Sequence, residues 1–257
     1  MANAPKSGLT KKHWFGYMFG DWGGCMTFTL MAGIFTMFCT NALGIDPALL
    51  GTLVIIWTIW DAINDPMMGQ IADKTHTRWG KFRPYLMFAP PVLAIFNILT
   101  FTVFPVQGVM KAVLCGVCYI GAGMAYTACS IAYQALLNVI AVDSRIRQLL
   151  ATARSTGASI IGIILSMVAM PLILRFSSAT NEAGEKMADG HGYFVATVIF
   201  SLILIPVFWT CATICKETYT DKLHSNAPAE KAGFIENMKG LIQNDQLLIV
   251  VIATCLL

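Results

Sequence analysis

Apolar residues in this chain run in blocks too long for the core of a soluble domain and without the alternation of a half-buried strand. Six such blocks lie at roughly 15–40, 48–72, 84–105, 108–140, 151–175 and 193–215, and each reaches the ~20 residues that a helix needs to cross a bilayer. A membrane barrel would instead show many segments of about ten residues with alternating polar positions. The pattern predicts an all-α, polytopic membrane protein: a cytoplasmic N-terminus over 1–14, a six-helix transmembrane bundle over 15–215, and a polar loop over 216–245. An apolar run then begins near Gln246 and continues to Leu257. At ~1.5 Å per residue it is too short for a hydrocarbon core of ~30 Å. It is expected to be the start of a seventh helix whose remainder, with a C-terminal half, belongs to a longer protein.

Composition agrees: 56% of residues are hydrophobic, 12% are charged and the mean hydropathy is +0.66, which excludes ordinary soluble and disordered chains. Charge then orients the bundle. Thirteen of the 17 Lys and Arg residues fall in one set of connections: Lys6, Lys11 and Lys12; Lys74, Arg78, Lys81 and Arg83; Arg145 and Arg147; Lys216, Lys222, Lys231 and Lys239. The opposite set holds Lys111, Arg175 and Lys186, and Arg154 sits within the fifth block. Basic residues near membrane ends stay cytoplasmic, so the N-terminus is expected in the cytoplasm of a multi-pass plasma membrane protein. The first block is too long for a signal peptide and lacks a clear cleavage site. The net charge of +3 then reflects a face attracted to anionic membrane lipid, with no nucleic-acid partner implied.

The eight cysteines lie in apolar runs with no histidine nearby, so Cys115-x-x-Cys118 is expected to pack rather than bind metal or undergo redox chemistry. No phosphate loop or catalytic triad suggests an enzyme or a cofactor.

What remains is a set of polar residues at membrane depth, which is costly and usually faces a cavity or pathway. Asp61 and Asp65 are one helical turn apart and repel each other, and Asn64 adds an amide oxygen beside them. Oxygen ligands of this kind suit a hard metal cation such as Na⁺ or Li⁺, and protonation of one carboxyl would relieve the same repulsion. The alternative is that the acids pair with Arg154 or with cytoplasmic bases and lock helices together. Asp21 shares its stretch with Gly16, Gly20 and Gly24, a small-residue stripe suited to close helix packing. Tyr126, Thr127 and Ser130 can contact a ligand or bond within their own helix.

Y17-M-F-G-D21, W60-D-A-I-N-D-P66 and R78-W-G-K-F-R-P84 resemble the glycoside–pentoside–hexuronide:cation symporters, the melibiose permease-like family of the major facilitator superfamily. The resemblance runs from about residue 11 to 257. It implies an N-terminal six-helix half and symport of a sugar or glycoside, a glycuronide included, with Na⁺, Li⁺ or H⁺ by alternating access. It places Asp61, Asn64, Asp65 and Thr127 at the cation site and Arg154 near the sugar, and makes Asp73, Arg78, Lys81 and Arg83 a cytoplasmic gate. Asp21, Tyr126, Cys25, Ser130 and Gln134 complete the expected substrate site, but three of them depart from the family pattern. Cys25 and Ser130 stand where the melibiose permease has sugar-binding aspartates, and Gln134 stands where it has a stacking tryptophan. A galactoside held in the same way is therefore not expected, and an anionic sugar such as a uronide would suit the retained Arg154. Competing readings are a lipid or amphipath transporter of the same fold, and a non-transporting fragment or sensor.

Overall fold

Each apolar block folds as a helix, and most of these helices continue past the hydrophobic stretch that announces them. The computed structural model describes residues 11–75, 77–106, 108–141, 144–180 and 186–215. The expected central loop and the start of the seventh helix lie outside the described residues. The first helix, α1, is α-helical over Lys11–Phe28 and continues through π-helical turns at Thr29–Ile34 and Phe38–Ala42 that flank a short α segment, Phe35–Met37. It is followed by α2 (Pro47–Lys74), α3 (Arg83–Thr100), α4 (Val109–Ile140), α5 (Ser144–Phe176) and α6 (Gly190–Ile214). No strand occurs among the described residues, only isolated bridges at Thr77–Gly80 and Thr180–Lys186.

Five of the helices are long and apolar enough to cross a membrane. The sixth, α3, has 18 residues; Arg83, three prolines and Asn97 lower its apolar character. The 33 residues of α5 extend ~50 Å at 1.5 Å per residue, well beyond a ~30 Å core. This length explains a difference from the sequence reading. Arg145 and Arg147, expected in a loop, belong to the first turn of α5, because hydropathy marks the membrane and not the polar end of a helix that projects from it. For the same reason α1 begins at Lys11 and not at residue 15, and α6 begins at Gly190, ahead of the apolar block expected from residue 193.

Packing pairs α3 with α4 and α6, and α1 with α5 and α6, while α2 lies against α4. Small residues permit the closest approaches. A Cβ added at Gly16 would fall 2.7 Å from the Ile214 side chain, at Gly20 2.5 Å from the Tyr133 ring, and at Gly23 2.5 Å from the Phe208 ring. Gly24 has open space instead, so the packing stripe runs Gly16–Gly20–Gly23 and not through Gly24. Rings fill the centre: Phe35 meets Trp57, Phe101 and Tyr119, and Phe38 meets Phe101 and Tyr193. Outward positions carry Ile55, Ile59 and Ile63 on α2 and Ile163 and Met167 on α5, all exposed, as lipid-facing positions require.

Candidate functional site

Two polar groupings flank α4, and the first opens into a cavity. About 330 Å³ in volume, the cavity is lined by Asp21, Gly24 and Cys25 of α1, Thr29 of its π-helical turn, Tyr126, Ser130 and Tyr133 of α4, and Arg154 of α5. That volume lies within the range of small-molecule sites. Arg154 Nε donates to Asp21 Oδ1 at 3.1 Å, and its guanidinium lies 5.8 Å from the centroid of the Tyr133 ring. The terminal amino groups of Arg154 donate to no protein atom among the described residues, so they remain available to a ligand in the cavity. Cys25 Sγ lies 3.8 Å from Asp21 Oδ2. Gln134 is not part of the cavity wall; its Nε2 donates to Ser130 Oγ at 3.0 Å.

A tyrosine pair forms the base of this arrangement. Tyr133 OH donates to the Tyr17 carbonyl at 2.8 Å, Tyr17 OH donates to the Tyr133 carbonyl at 3.4 Å, and the rings stack with centroids 4.5 Å apart. Neither tyrosine is among the site residues that the sequence predicts. The signal for Tyr133 is its spacing, since positions 126, 130 and 133 share one face of a helix.

The second grouping joins α2 to α4. Thr127 Oγ1 donates to Asp65 Oδ1 at 3.0 Å. Asp61 Oδ1 would lie 3.3 Å from a Cβ at Gly123, so the absence of a side chain there admits the carboxylate. Trp57 stacks on Tyr119 with centroids 4.8 Å apart. The pairs 57/119, 61/123 and 65/127 share the offset of 62 residues recorded for the hydrogen bond, which describes two helices running parallel in register. Asn64 is fully buried, and neither its Oδ1 nor its Nδ2 has a partner among the described residues. A buried amide left unpaired is costly, and Asn64 follows Asp61 by three residues and precedes Asp65 by one on the same helix. Neither Asp61 nor Asp65 forms an ion pair among the described residues, so the alternative of a lock with Arg154 applies to Asp21 and not to them.

At the connection between α2 and α3, Lys81 Nζ pairs with Asp73 Oδ1 at 2.8 Å. Arg83 Nε donates to the Ala212 carbonyl at 2.9 Å, in the last turn of α6, where a cation complements the helix dipole. Gly80 turns the chain at φ 112, a conformation that favours glycine. Arg78 has no carboxylate partner among the described residues and lies over Trp79, 5.0 Å from the ring centroid.

A family profile described as MFS/sugar transport protein matches residues 16–257. The chain belongs to this family. Among individual relatives it is 34% identical to the isoprimeverose transporter of Lactiplantibacillus pentosus over 204 residues, 79% of this chain and 41% of the relative. It is 30% identical over 240 residues, 93% of this chain and 49% of the relative, to the putative glycoside/cation symporter YagG of Escherichia coli K12. It is also 28% identical to the glucuronide carrier protein homolog of Escherichia coli K12 over 204 residues, 79% of this chain and 43% of the relative. The chain spans about half the length of the relatives it matches. Family membership and the five apolar spans among the described residues make the chain part of a multi-pass membrane protein.

Proposed function

We propose that this chain forms the N-terminal six-helix half, residues 15–215, of a symporter that couples entry of a sugar or glycoside to a Na⁺, Li⁺ or H⁺ gradient. The N-terminus and the 216–245 loop are cytoplasmic, and the protein resides in the plasma membrane and catalyses no covalent reaction. A second half supplies the opposite wall of the site, in keeping with relatives of about twice this length.

The observation that carries this reading is the adjacency of Tyr126 and Thr127. Tyr126 lines the cavity, while Thr127 bonds to Asp65. Successive helical residues point ~100° apart, so one turn of α4 faces both groupings. A cation held by Asp61, Asn64, Asp65 and Thr127 neutralises two carboxylates that otherwise repel, and so fixes the position of α2 against α4. The same segment of α4 then presents Tyr126 and Ser130 to a sugar, whose hydroxyls also meet Asp21 and Arg154. Coupling is reciprocal: if the cation raises affinity for sugar, sugar raises affinity for the cation by the same factor. Of the expected gate of Asp73, Arg78, Lys81 and Arg83, the Lys81–Asp73 pair ties the α2–α3 connection to the end of α2 and Arg83 ties α3 to the end of α6; these three act as the gate on the cytoplasmic side, while Arg78 pairs with no carboxylate among the described residues.

The Asp21–Arg154 pair bears on the substrate. With Asp21 opposite Arg154, the cavity does not present an unbalanced positive charge, which favours a neutral glycoside over a uronide. Proteoliposomes containing the full-length transporter, this half together with the second, should accumulate a labelled glycoside under an imposed inward Na⁺, Li⁺ or proton gradient and not without one. Equal uptake with and without each gradient would refute symport.

A further inference from the structure

A second cavity lies apart from both polar groupings, in the face of the bundle where α2 and α3 flank α4. Its volume is about 560 Å³. Phe88, Val92 and Phe96 of α3 form one wall, Met68 of α2 the other, and Gly121 and Ala125 of α4 the floor. Phe88 and Val92 are 60% and 45% exposed, so the groove is open along its side. Thr75 and Tyr85 close one end, and their hydroxyls bond to each other at 2.6 Å, which leaves little polar character for a sugar. The groove's α3 residues run from Pro84 to Phe96, ~18 Å at 1.5 Å per residue. That is close to one leaflet, half of a ~30 Å core.

Beside the Thr75 end, a stack leads out of the groove. Trp79 stacks on Phe88 with centroids 5.8 Å apart, and Arg78 lies over Trp79. The residues of this turn therefore do two different things: Lys81 and Arg83 are engaged with Asp73 and Ala212, whereas Arg78 sits on the aromatic rim. Tryptophan and arginine at the end of a leaflet-long apolar groove match the interfacial level of a bilayer.

We propose that this groove holds one acyl chain of an anionic phospholipid, with the lipid phosphate at Arg78. Arg78 thereby acts as a lipid ligand of the α2–α3 turn. The site is independent of sugar transport, so it can fail while symport stands.

Native mass spectrometry of the detergent-solubilised protein, titrated with dioleoylphosphatidylglycerol or dioleoylphosphatidylcholine, tests it. One basic residue near a membrane surface favours an anionic lipid by about fivefold, so phosphatidylglycerol should be retained about fivefold more tightly. Arg78→Gln should bring the two lipids to parity, and Val92→Trp, which fills the groove, should weaken both. A preference unchanged in Arg78→Gln, or retention unchanged in Val92→Trp, overturns the proposal. Should Val92→Trp not fold, the unsubstituted protein decides. Phosphatidylglycerol carrying a diazirine on its acyl chain should label residues 84–96 and 121–128, and labelling confined to other segments, as when a protein helix covers the groove, overturns it equally.

Discussion

Thr127 Oγ1 donates a 3.0 Å hydrogen bond to Asp65 Oδ1 across 62 residues of sequence, and the residue before Thr127 lines the cavity that contains Arg154. One segment of α4 therefore adjoins an acidic pair and a candidate sugar site. Substitutions at Arg154 and at the acidic pair separate this arrangement from a set of structural contacts.

Arg154 is expected to contribute to ligand binding more than to folding. A hydrogen bond to a charged group contributes about 1.5–3 kcal/mol, so Arg154→Ala should weaken sugar binding about tenfold or more, as measured by calorimetry on the purified full-length transporter. If Arg154 only locks α1 to α5 through Asp21, the variant will melt at a lower temperature and bind sugar normally.

Topology follows from the basic residues. In a background without native cysteines, a cysteine at Thr77 should react with a membrane-impermeant maleimide only from the cytoplasmic side, and one at Thr180 only from outside. Labelling of Thr77 in intact cells would reverse the orientation.

A knot of hydrogen bonds ties the end of α5 to the start of α6. Asp189, the N-cap of α6, accepts from Gly192 N at 2.8 Å, Ser178 N at 2.7 Å and Ala179 N at 3.2 Å. Desolvation raises its pKa, but the donors from Gly192, Ser178, Ala179 and Ser177 outweigh it and hold the carboxyl below its ordinary value. Such a group stabilises the fold fully above its unfolded pKa, near ~4, and the contribution is lost as pH falls through the lower folded value. Asp189→Ala should therefore cost about 1 kcal/mol at pH 7, as loss of an N-cap does. The gap in melting temperature between variant and parent should narrow at the acid end of the range. A gap that is the same at pH 7 and pH 3 would show that the charge contributes nothing.

Much of this architecture is legible in the sequence, because hydropathy reports the environment of each helix directly. The spacing of Asp61 and Asp65 likewise establishes a shared face on α2. What the sequence does not contain is the partner of that face. The 62-residue offset that sets Asp61 against Gly123 and Asp65 against Thr127 is a property of the packed helices. The same holds for the ion pair between Asp21 and Arg154, 133 residues apart. Gly24 has the four-residue spacing of Gly16 and Gly20 but borders the cavity, while Gly23 meets Phe208. Periodicity alone does not distinguish a position facing a helix from one facing a void. An aromatic residue such as Tyr133 in an apolar run reads as core; its hydroxyl bond to Tyr17 and its contact with Arg154 exist only in the folded bundle.

The central claim is that Asp61 and Asp65 hold the coupling cation. Asp61→Asn and Asp65→Asn preserve side-chain size and remove the charge. In the full-length parent transporter, adding Na⁺, Li⁺ or protons should tighten sugar binding about fivefold or more, the usual lower range of coupling between two sites. The decisive measurement is sugar affinity across a titration of each cation, made on parent and variants that elute and melt alike. The cation dependence should disappear in both variants while cation-free sugar binding remains. Variants that retain the full cation dependence of the parent would contradict the claim.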